Sequence, residues 1–318
     1  GFNGINIENG AYIDPVYSFT NCVFQDFINP VSSSSMLTID NNQALTITGA
    51  AFPDNTSAAF NVAKNVNQGQ ITFVDYTGSF SGEVFENDPY NRIDWFVPGF
   101  DLNLRAFLEG PFKTIEMSTD LNPVLIPLNQ PFNTAPWNYA GSESVTSIPN
   151  ANVVDWVLVE LRDATSAAGA GSSTRLARQA AFLLKDGSVV GTDGSSPLSF
   201  ANSVSNSLFV VTWHRNHLGI ISANPLTESG GVYSYDFTTN VNKAYQSGQK
   251  NVNGKAVMFG GDVNANGTVN TADKNIWSGV AGTKGYVPSD MDMDSQVDNK
   301  DKNDIWTGNL NEQSKVPN

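Results

Sequence analysis

Asp262-Val-Asn264-Ala-Asn266-Gly267-Thr268-Val269-Asn270-Thr271-Ala272-Asp273 and Asp290-Met-Asp292-Met-Asp294-Ser295-Gln296-Val297-Asp298-Asn299-Lys300-Asp301 are one acidic loop written twice. Oxygen-bearing side chains stand at positions 1, 3, 5 and 12 of each copy, with an aliphatic residue at position 8. A helix-like run follows both, Lys274-Asn275-Ile276-Trp277 and Lys302-Asn303-Asp304-Ile305-Trp306. A hard cation such as Ca²⁺ takes six to eight oxygens at about 2.3–2.6 Å. A 12-residue loop supplies them by turning alternate side chains inward, adding the position-7 carbonyl and closing on an acid of the next helix. Gly267 suits the sharp turn at position 6, where a residue without Cβ costs least, and Ser295 is expected to take that turn with some strain. Loop one offers two carboxylates and two Asn, loop two four carboxylates. The second therefore attracts a cation more strongly, offset in part by carboxylate repulsion and by Ser295. A single Asp/Asn-rich turn is common in soluble proteins. Two in register, with positions 1 and 12 both recurring after 28 residues, point to a duplicated cation unit. The closing acid is Asp where an EF-hand has Glu, which points to a loop–helix unit lacking the preceding helix of an EF-hand.

On these residues, 260–315 resembles a type I dockerin-like module, the calcium-loop pair that docks onto cohesin domains in some secreted assemblies. The resemblance implies two Ca²⁺ ions. Their ligands would be the side chains of Asp262, Asn264, Asn266 and Asp273, those of Asp290, Asp292, Asp294 and Asp301, and the carbonyls of Thr268 and Gln296. It also implies a cohesin-like partner, chosen in part by positions 10 and 11. Here these read Thr271-Ala272 and Asn299-Lys300, so the copies differ and the usual Ser-Thr-like pair is missing. The other candidate partners are the chain's own β-sandwich and a second copy of the protein.

Composition narrows the function classes. Asp and Glu outnumber Lys and Arg by 31 to 17, which argues against nucleic acid, since phosphate binding needs a basic footprint. No apolar run of about 18 residues is present to span a membrane. The single Cys22 excludes an internal disulfide framework and reads as a small apolar side chain. Gly1-Phe2-Asn3-Gly4 begins inside patterned sequence, so the chain is expected to be the C-terminal part of something longer. Few lysines, abundant Asn, Ser and Thr, and the calcium loops suggest an extracellular setting.

Residues 1–85 alternate apolar and polar in short runs: Ile5-Asn-Ile7, Tyr17-Ser-Phe19, Leu37-Thr-Ile39, Leu45-Thr-Ile47 and Ile71-Thr-Phe73. Phe24, Phe52 and Phe80 recur every 28 residues. That spacing predicts the end coils of a right-handed parallel β-helix, where like residues stack, with an ordinary β-sandwich as the alternative. Residues 86–101 read as a connector. From 102 to 258 longer alternating runs (102–109, 153–162, 179–184 and 208–214), separated by turn signals, predict an Ig-like antiparallel β-sandwich. Residues 259–318 complete the chain as a small α dockerin-like loop–helix pair. Val269, Val297, Ile276, Trp277, Ile305 and Trp306 are expected to form its core, and Tyr286 and Pro288 to join its halves.

Leu108-Glu-Gly-Pro-Phe, Pro136-Trp-Asn-Tyr-Ala-Gly, Asp155-Trp-Val-Leu-Val-Glu-Leu-Arg and His214-Arg-Asn-His217 resemble the domain that precedes dockerin-like repeats at the ends of large bacterial surface proteins. The resemblance covers about residues 80–318 and implies export to the bacterial cell surface, reading by a secretion machinery and no enzymatic activity. The best catalytic constellation would join His214 or His217 to Asp155 or Glu160. On one continuous strand the two histidines would face opposite ways and share no metal without a bulge. Asp155 with Arg162, or Glu160 with Arg215, would be structural ion pairs. A β-helix polysaccharide lyase is the enzymatic rival, but residues 1–85 hold Lys64 and no Arg to serve as its base. A glycan-binding adhesin using Trp95, Trp137, Tyr139 and Trp156 is another. The expected function is that of a non-enzymatic extracellular structural protein whose calcium-stabilised module serves attachment, assembly or secretion.

Overall fold

The computed structural model describes residues 5–8, 11–12, 19–25, 35–53 and 60–318. They form two compact units, residues 1–99 with 201–203, and 100–200 with 204–318. The chain is mainly β.

In the first unit, β1 (Ile5–Ile7), β2 (Ser35–Ile39), β3 (Leu45–Thr48), β4 (Phe60–Ala63), β5 (Ile71–Val74), β6 (Glu86–Asn87) and β7 (Ile93–Phe96) make two ladders, β1-β2-β4-β6 and β3-β5-β7. Every pairing is parallel. Partners stand from 22 residues apart (Ile71 and Ile93) to 32 (Ile5 and Leu37). The alternating residues Leu37, Ile39, Ile47, Ile71 and Phe73 are buried between the ladders' walls. Tyr17 and Ser18 of the expected strands lie outside the described residues.

The recurring phenylalanines hold for one step and then fail. Phe24 and Phe52 stack with ring centroids 5.1 Å apart, and Val23 bridges Ala51 after 28 residues. The next bridge, Ala51 to Thr77, spans 26 residues, so Phe52 aligns with Gly78 and not with Phe80. A Cβ on Gly78 would come within 2.2 Å of the Phe52 carbonyl oxygen, and its φ of +103° favours glycine as well. Phe73 and Trp95, stacked 4.3 Å apart, fill the space beside Phe52 instead. The stretch read as a connector thus carries β6 and β7, with Ile93 and Trp95 turned inward. Its Asn, Asp and Pro residues mask a four-residue alternation. Lys64 is wholly buried and donates to the carbonyls of Ile39 (3.0 Å) and Asn41 (2.9 Å).

In the second unit, β8 (Phe100–Arg105), β9 (Val153–Ala164), β10 (Arg175–Leu184), β11 (Ser188–Val190), β12 (Leu198–Phe200), β13 (Ser207–Trp213), β14 (Ile220–Ile221), β15 (Thr227–Ser229) and β16 (Val232–Asp236) form one nine-stranded sheet. Its order is β14-β13-β9-β10-β11-β8-β16-β15, and β12 also pairs with β8. All four strands expected from alternation are present. The pairing nevertheless runs unbroken where two separate antiparallel sheets were expected. β8 takes β11 and β12 as antiparallel partners and β16 as a parallel one, and so leaves no seam. β9 is buried almost throughout, between β10 and β13. Segment 106–149 covers part of it: Phe107, Phe112, Leu121, Ile126 and Phe132 join its core, and the Trp156 indole donates to the Pro127 carbonyl at 2.8 Å. The hairpin β17 (Lys250–Val252) and β18 (Lys255–Val257) leads into α1 (Thr271–Val280) and a π-helical turn, Asp301–Trp306. No helix among the described residues is long and apolar enough to cross a membrane.

Candidate functional site

The two acidic loops fold alike, with most of their hydrogen bonds repeated. Asp262 accepts from the backbone N–H of Asn266 (3.0 Å) and Gly267 (2.9 Å); Asp290 accepts from Asp294 (3.1 Å) and Ser295 (3.0 Å). Asn266 Oδ1 accepts from Thr268 N, and Asp294 Oδ1 from Gln296 N, both at 3.0 Å. Asp273 closes the first loop on the N–H groups of Asn264 and Asn270, and Asp301 closes the second on those of Met291, Asp292 and Asp298. Asn270 and Asp298 cap the helical turns that follow, accepting from Ala272 and Lys300 N–H at 2.7 Å. Ala265 and Met293 share a left-handed backbone, as do Gly267 (φ +83°) and Ser295 (φ +79°). Ser295 therefore holds the strained conformation expected at position 6.

In loop two, carboxylate oxygens of Asp290, Asp292 and Asp294 lie within 4.8 Å of one another. Like charges so close, half out of water, raise each other's pKa. Burial first, then the charges of Asp301 and its neighbours, push Asp290 and Asp292 up to about 7, although Arg215 opposes the rise at Asp290. Burial, reinforced by Asp273, does the same to Asp262. Such a site lacks positive charge in its centre. Among the described residues the amine paired with it is Lys300 Nζ, 3.2 Å from Asp294 on an exposed side chain. An all-oxygen donor set of this kind suits a hard divalent cation, and in loop one the carboxylates of Asp262 and Asp273 and the amides of Asn264 and Asn266 could play the same part.

The copies are interlocked. The exit strand of loop one pairs with residues 311–314: Val269 N donates to Glu312 O, Asn311 N to Val269 O and Ser314 N to Gly267 O. Loop two pairs the same way with residues 282–285, through Val297 N to Thr283 O, Gly282 N to Val297 O and Gly285 N to Ser295 O. Each loop is thus completed by the segment behind the other copy's helix. The indole of Trp277 donates to Asp298 O (3.0 Å) and that of Trp306 to Asn270 O (2.9 Å). Lys302 lies over the Trp277 ring and Lys274 over the Trp306 ring.

The loops repeat after 28 residues, but the tryptophans and pairing segments repeat after 29. The extra residue is Asp304, inserted into the second Lys-Asn-Ile-Trp run, and the π-helical turn absorbs it. This also corrects the expected core. In α1 the inward stripe runs from Asp273 to Trp277, leaving Ile276 on the flank and 42% exposed. In the π turn, one residue wider, both Ile305 and Trp306 are buried beside Val269, Val297, Val263 and Met291.

The sheet grips the loops through residues that pattern reading did not connect. Asp155 of β9 accepts from Arg215 Nε (2.9 Å), the Tyr286 hydroxyl (2.7 Å) and its own neighbour Trp156 N (2.8 Å). Arg215 lies over the Tyr286 ring, 4.2 Å from its centroid, and donates to Val287 O. Asn216 donates to the carbonyls of Pro288 and Asp290. Tyr286 and Pro288, expected to join the two halves of the module, thus tie it to the sheet. Burial alone would raise the Asp155 pKa, but Arg215 and the hydrogen bonds outweigh it and hold it down to about 2. Of the ion pairs considered, the structure forms neither: Asp155 takes Arg215, while Glu160 takes Arg162 at 2.7 Å.

The histidines meet after all. β13 ends at Trp213, so residues 214–217 turn and bring His214 Nδ1 within 3.0 Å of His217 Nδ1. Gly110 N–H donates to His217 Nε2, which leaves the His217 proton on Nδ1. That proton faces both Asn216 Oδ1 at 2.8 Å and His214 Nδ1 at 3.0 Å, and His214 Nε2 lies 3.2 Å from the Asp155 carboxylate. Burial lowers both imidazole pKa values and favours the neutral rings, although Asp155 opposes the shift at His214. Every ring nitrogen is engaged, and the pair braces the sheet against the 106–112 loop.

The chain matches no described protein family and no curated protein. Among solved structures it is similar to a chain of a mutant type II Cohesin-X-Dockerin complex from Acetivibrio cellulolyticus, with 12% identity, covering 68% of this chain and 96% of that one at a TM-score of 0.33. A likeness at that level assigns neither fold nor partner.

Proposed function

We propose that residues 259–318 are a calcium-organised, dockerin-like module that secures the C-terminal end of an extracellular structural protein for attachment, assembly or secretion. The observation that carries the reading is the interlocked repetition of the two loops, with three carboxylates of the second converging around one point. Two Ca²⁺ ions would be held by Asp262, Asn264, Asn266, Asp273 and the Thr268 carbonyl, and by Asp290, Asp292, Asp294, Asp301 and the Gln296 carbonyl. Each ion supplies the positive charge that the buried carboxylates lack, so its binding energy stabilises the folded module. Because the module is hydrogen-bonded to β9 and to residues 214–217, calcium would brace the whole second unit. The parallel ladders of the first unit are read as end coils of a β-helical stalk. No catalytic role is assigned. Native mass spectrometry in millimolar calcium tests the reading: two ions per chain are expected, one in Asp290→Asn/Asp292→Asn, and none bound to the intact chain would sink it.

A second reading, outward docking, is favoured by one feature. Positions 10 and 11 of both loops, Thr271-Ala272 and Asn299-Lys300, are exposed, as is the apolar Ile276 on α1. A cohesin-like domain or a second copy of the chain would cover that face. Binding of a type I cohesin that is lost in Ile276→Asp supports it; absence of binding, with a monomeric protein, leaves the internal brace. A carbohydrate-active protein carrying the module for cohesin docking is the remaining alternative.

A further inference from the structure

The chain carries six arginines and a net charge of −14, yet three of those arginines, Arg162, Arg175 and Arg178, line a single cavity of about 440 Å³ in the second unit. Charge of the minority sign gathered in one hollow is a physical oddity, because guanidinium groups repel. Arg175 helps lower the pKa of Arg178, after burial. Glu160 is the one carboxylate paired with them, and its Oε1 already accepts from Arg162 Nε at 2.7 Å. Arg162 is further fixed on the carbonyls of Ala170 and Pro317 at 2.6 Å each, which leaves it no free fork. Arg178 gives one Nη to the Trp137 carbonyl at 2.7 Å and lies on the Tyr139 ring. Arg175 is different. Its one acidic partner among the described residues is Glu160 Oε2 at 3.6 Å, beyond good hydrogen-bond length, and its side chain is 41% exposed at the cavity.

We infer that this cavity is a binding site for a carboxylate-bearing sugar, with Arg175 and Arg178 as the carboxylate fork. A planar guanidinium with open N–H donors matches a carboxylate two bonds at a time, and three arginines against the carboxylates of Glu160 and Asp262 leave one positive charge for an anion to balance. The rest of the wall fits a pyranose ring. Trp137, half-buried on Phe132, offers an apolar surface for its C–H face. Ser172 and Gln313 offer neutral donors and acceptors for its hydroxyls. The volume lies in the usual range for small-ligand sites. The arginines stand on β9 and β10 and form the hollow's sheet side, so the inference does not depend on which cation loop one takes.

The test is calorimetric titration of the full chain, in millimolar calcium, with trigalacturonate, with the matching neutral galactose trisaccharide and with inorganic sulfate. Saturable binding of trigalacturonate alone is expected. Arg175→Gln, at an exposed side chain whose loss leaves the near-ultraviolet spectrum unchanged, is expected to weaken it at least tenfold, about what one charge-assisted hydrogen bond contributes. Arg175→Lys, which keeps the charge without the fork, falls between. Failure of trigalacturonate to bind, equal binding of the neutral sugar, or equal binding of sulfate would each overturn the inference. So would trigalacturonate binding untouched by Arg175→Gln, which would place the sugar on the calcium loops.

Discussion

Asp155→Asn puts the grip between sheet and loops to the test. The carboxylate receives Arg215, Tyr286, His214 and a backbone N–H, and both it and Arg215 are almost wholly buried. The amide keeps the shape but removes the charge, and Arg215 is left as a buried cation whose Nη2 already lacks a partner. Removing one member of a buried ion pair costs about 3–5 kcal/mol, whereas replacing both by apolar groups of similar size costs far less. The double variant Asp155→Leu/Arg215→Met is therefore expected to recover most of the loss. The pH dependence supplies an independent measure. The folded carboxyl titrates at about 2 against 3.8 unfolded, so its contribution is full above pH 4 and is lost as pH falls through 2. A shift of that size is worth roughly 2 kcal/mol. Guanidinium unfolding of wild type and variants at pH 7, 4 and 2.5, followed by near-ultraviolet circular dichroism, reads both effects. A loss under 1 kcal/mol in Asp155→Asn at pH 7, or a wild-type-to-variant gap that does not narrow toward pH 2.5, would refute the reasoning.

Stripping calcium is expected to lower the melting temperature of the second unit by about 5–10 °C, since one site filled at a hundred times its Kd contributes about 2.7 kcal/mol; differential scanning calorimetry with and without chelator checks it. In chelator the pH response should invert. The carboxyls of Asp262, Asp290 and Asp292 sit at about 7 in the fold and near 3.8 unfolded, so the ion-free module is most stable below pH 4 and loses stability as pH rises through 7. A chelated protein that melts higher at pH 7.5 than at pH 5 would contradict this. Ser295→Gly relieves a left-handed serine and is expected to raise stability by up to about 1 kcal/mol without loss of calcium, read by the same calorimetry. Gly78→Ala drives a Cβ onto Phe52 O and should lower the first unit's transition by more than about 1 kcal/mol while leaving the second unit's unchanged.

Local sequence carried some of this fold plainly. The loops were legible because the spacing of their oxygens is imposed by the chain itself, and the repeat of Asp262, Asn266 and Asp273 at Asp290, Asp294 and Asp301 needs no tertiary knowledge. The alternation at Leu37, Leu45, Ile71 and Val153 was visible for the same reason. What escaped depends on partners distant in sequence. Asp155 and Arg215, sixty residues apart, pair only because β9 and β13 are neighbours, and nothing near Asp155 announces Tyr286. His214 and His217 were placed on opposite faces by a strand that in fact stops at Trp213. Phe80 fell out of its series because one rung is two residues shorter than the last. The inserted Asp304 was in view from the start, but its meaning waited for the two indoles to be seen in equivalent places.

The crossed pairing of the loops also sets an order of events. Loop two finds its strand partner, residues 282–285, upstream of itself, and can close once Asp301 has followed. Loop one must wait for residues 311–314, some forty positions later. A polypeptide made, or threaded through a pore, from its N-terminus would therefore cross with its first loop open and seal it last. Loop one therefore stays without its strand partner until residues 311–314 have emerged.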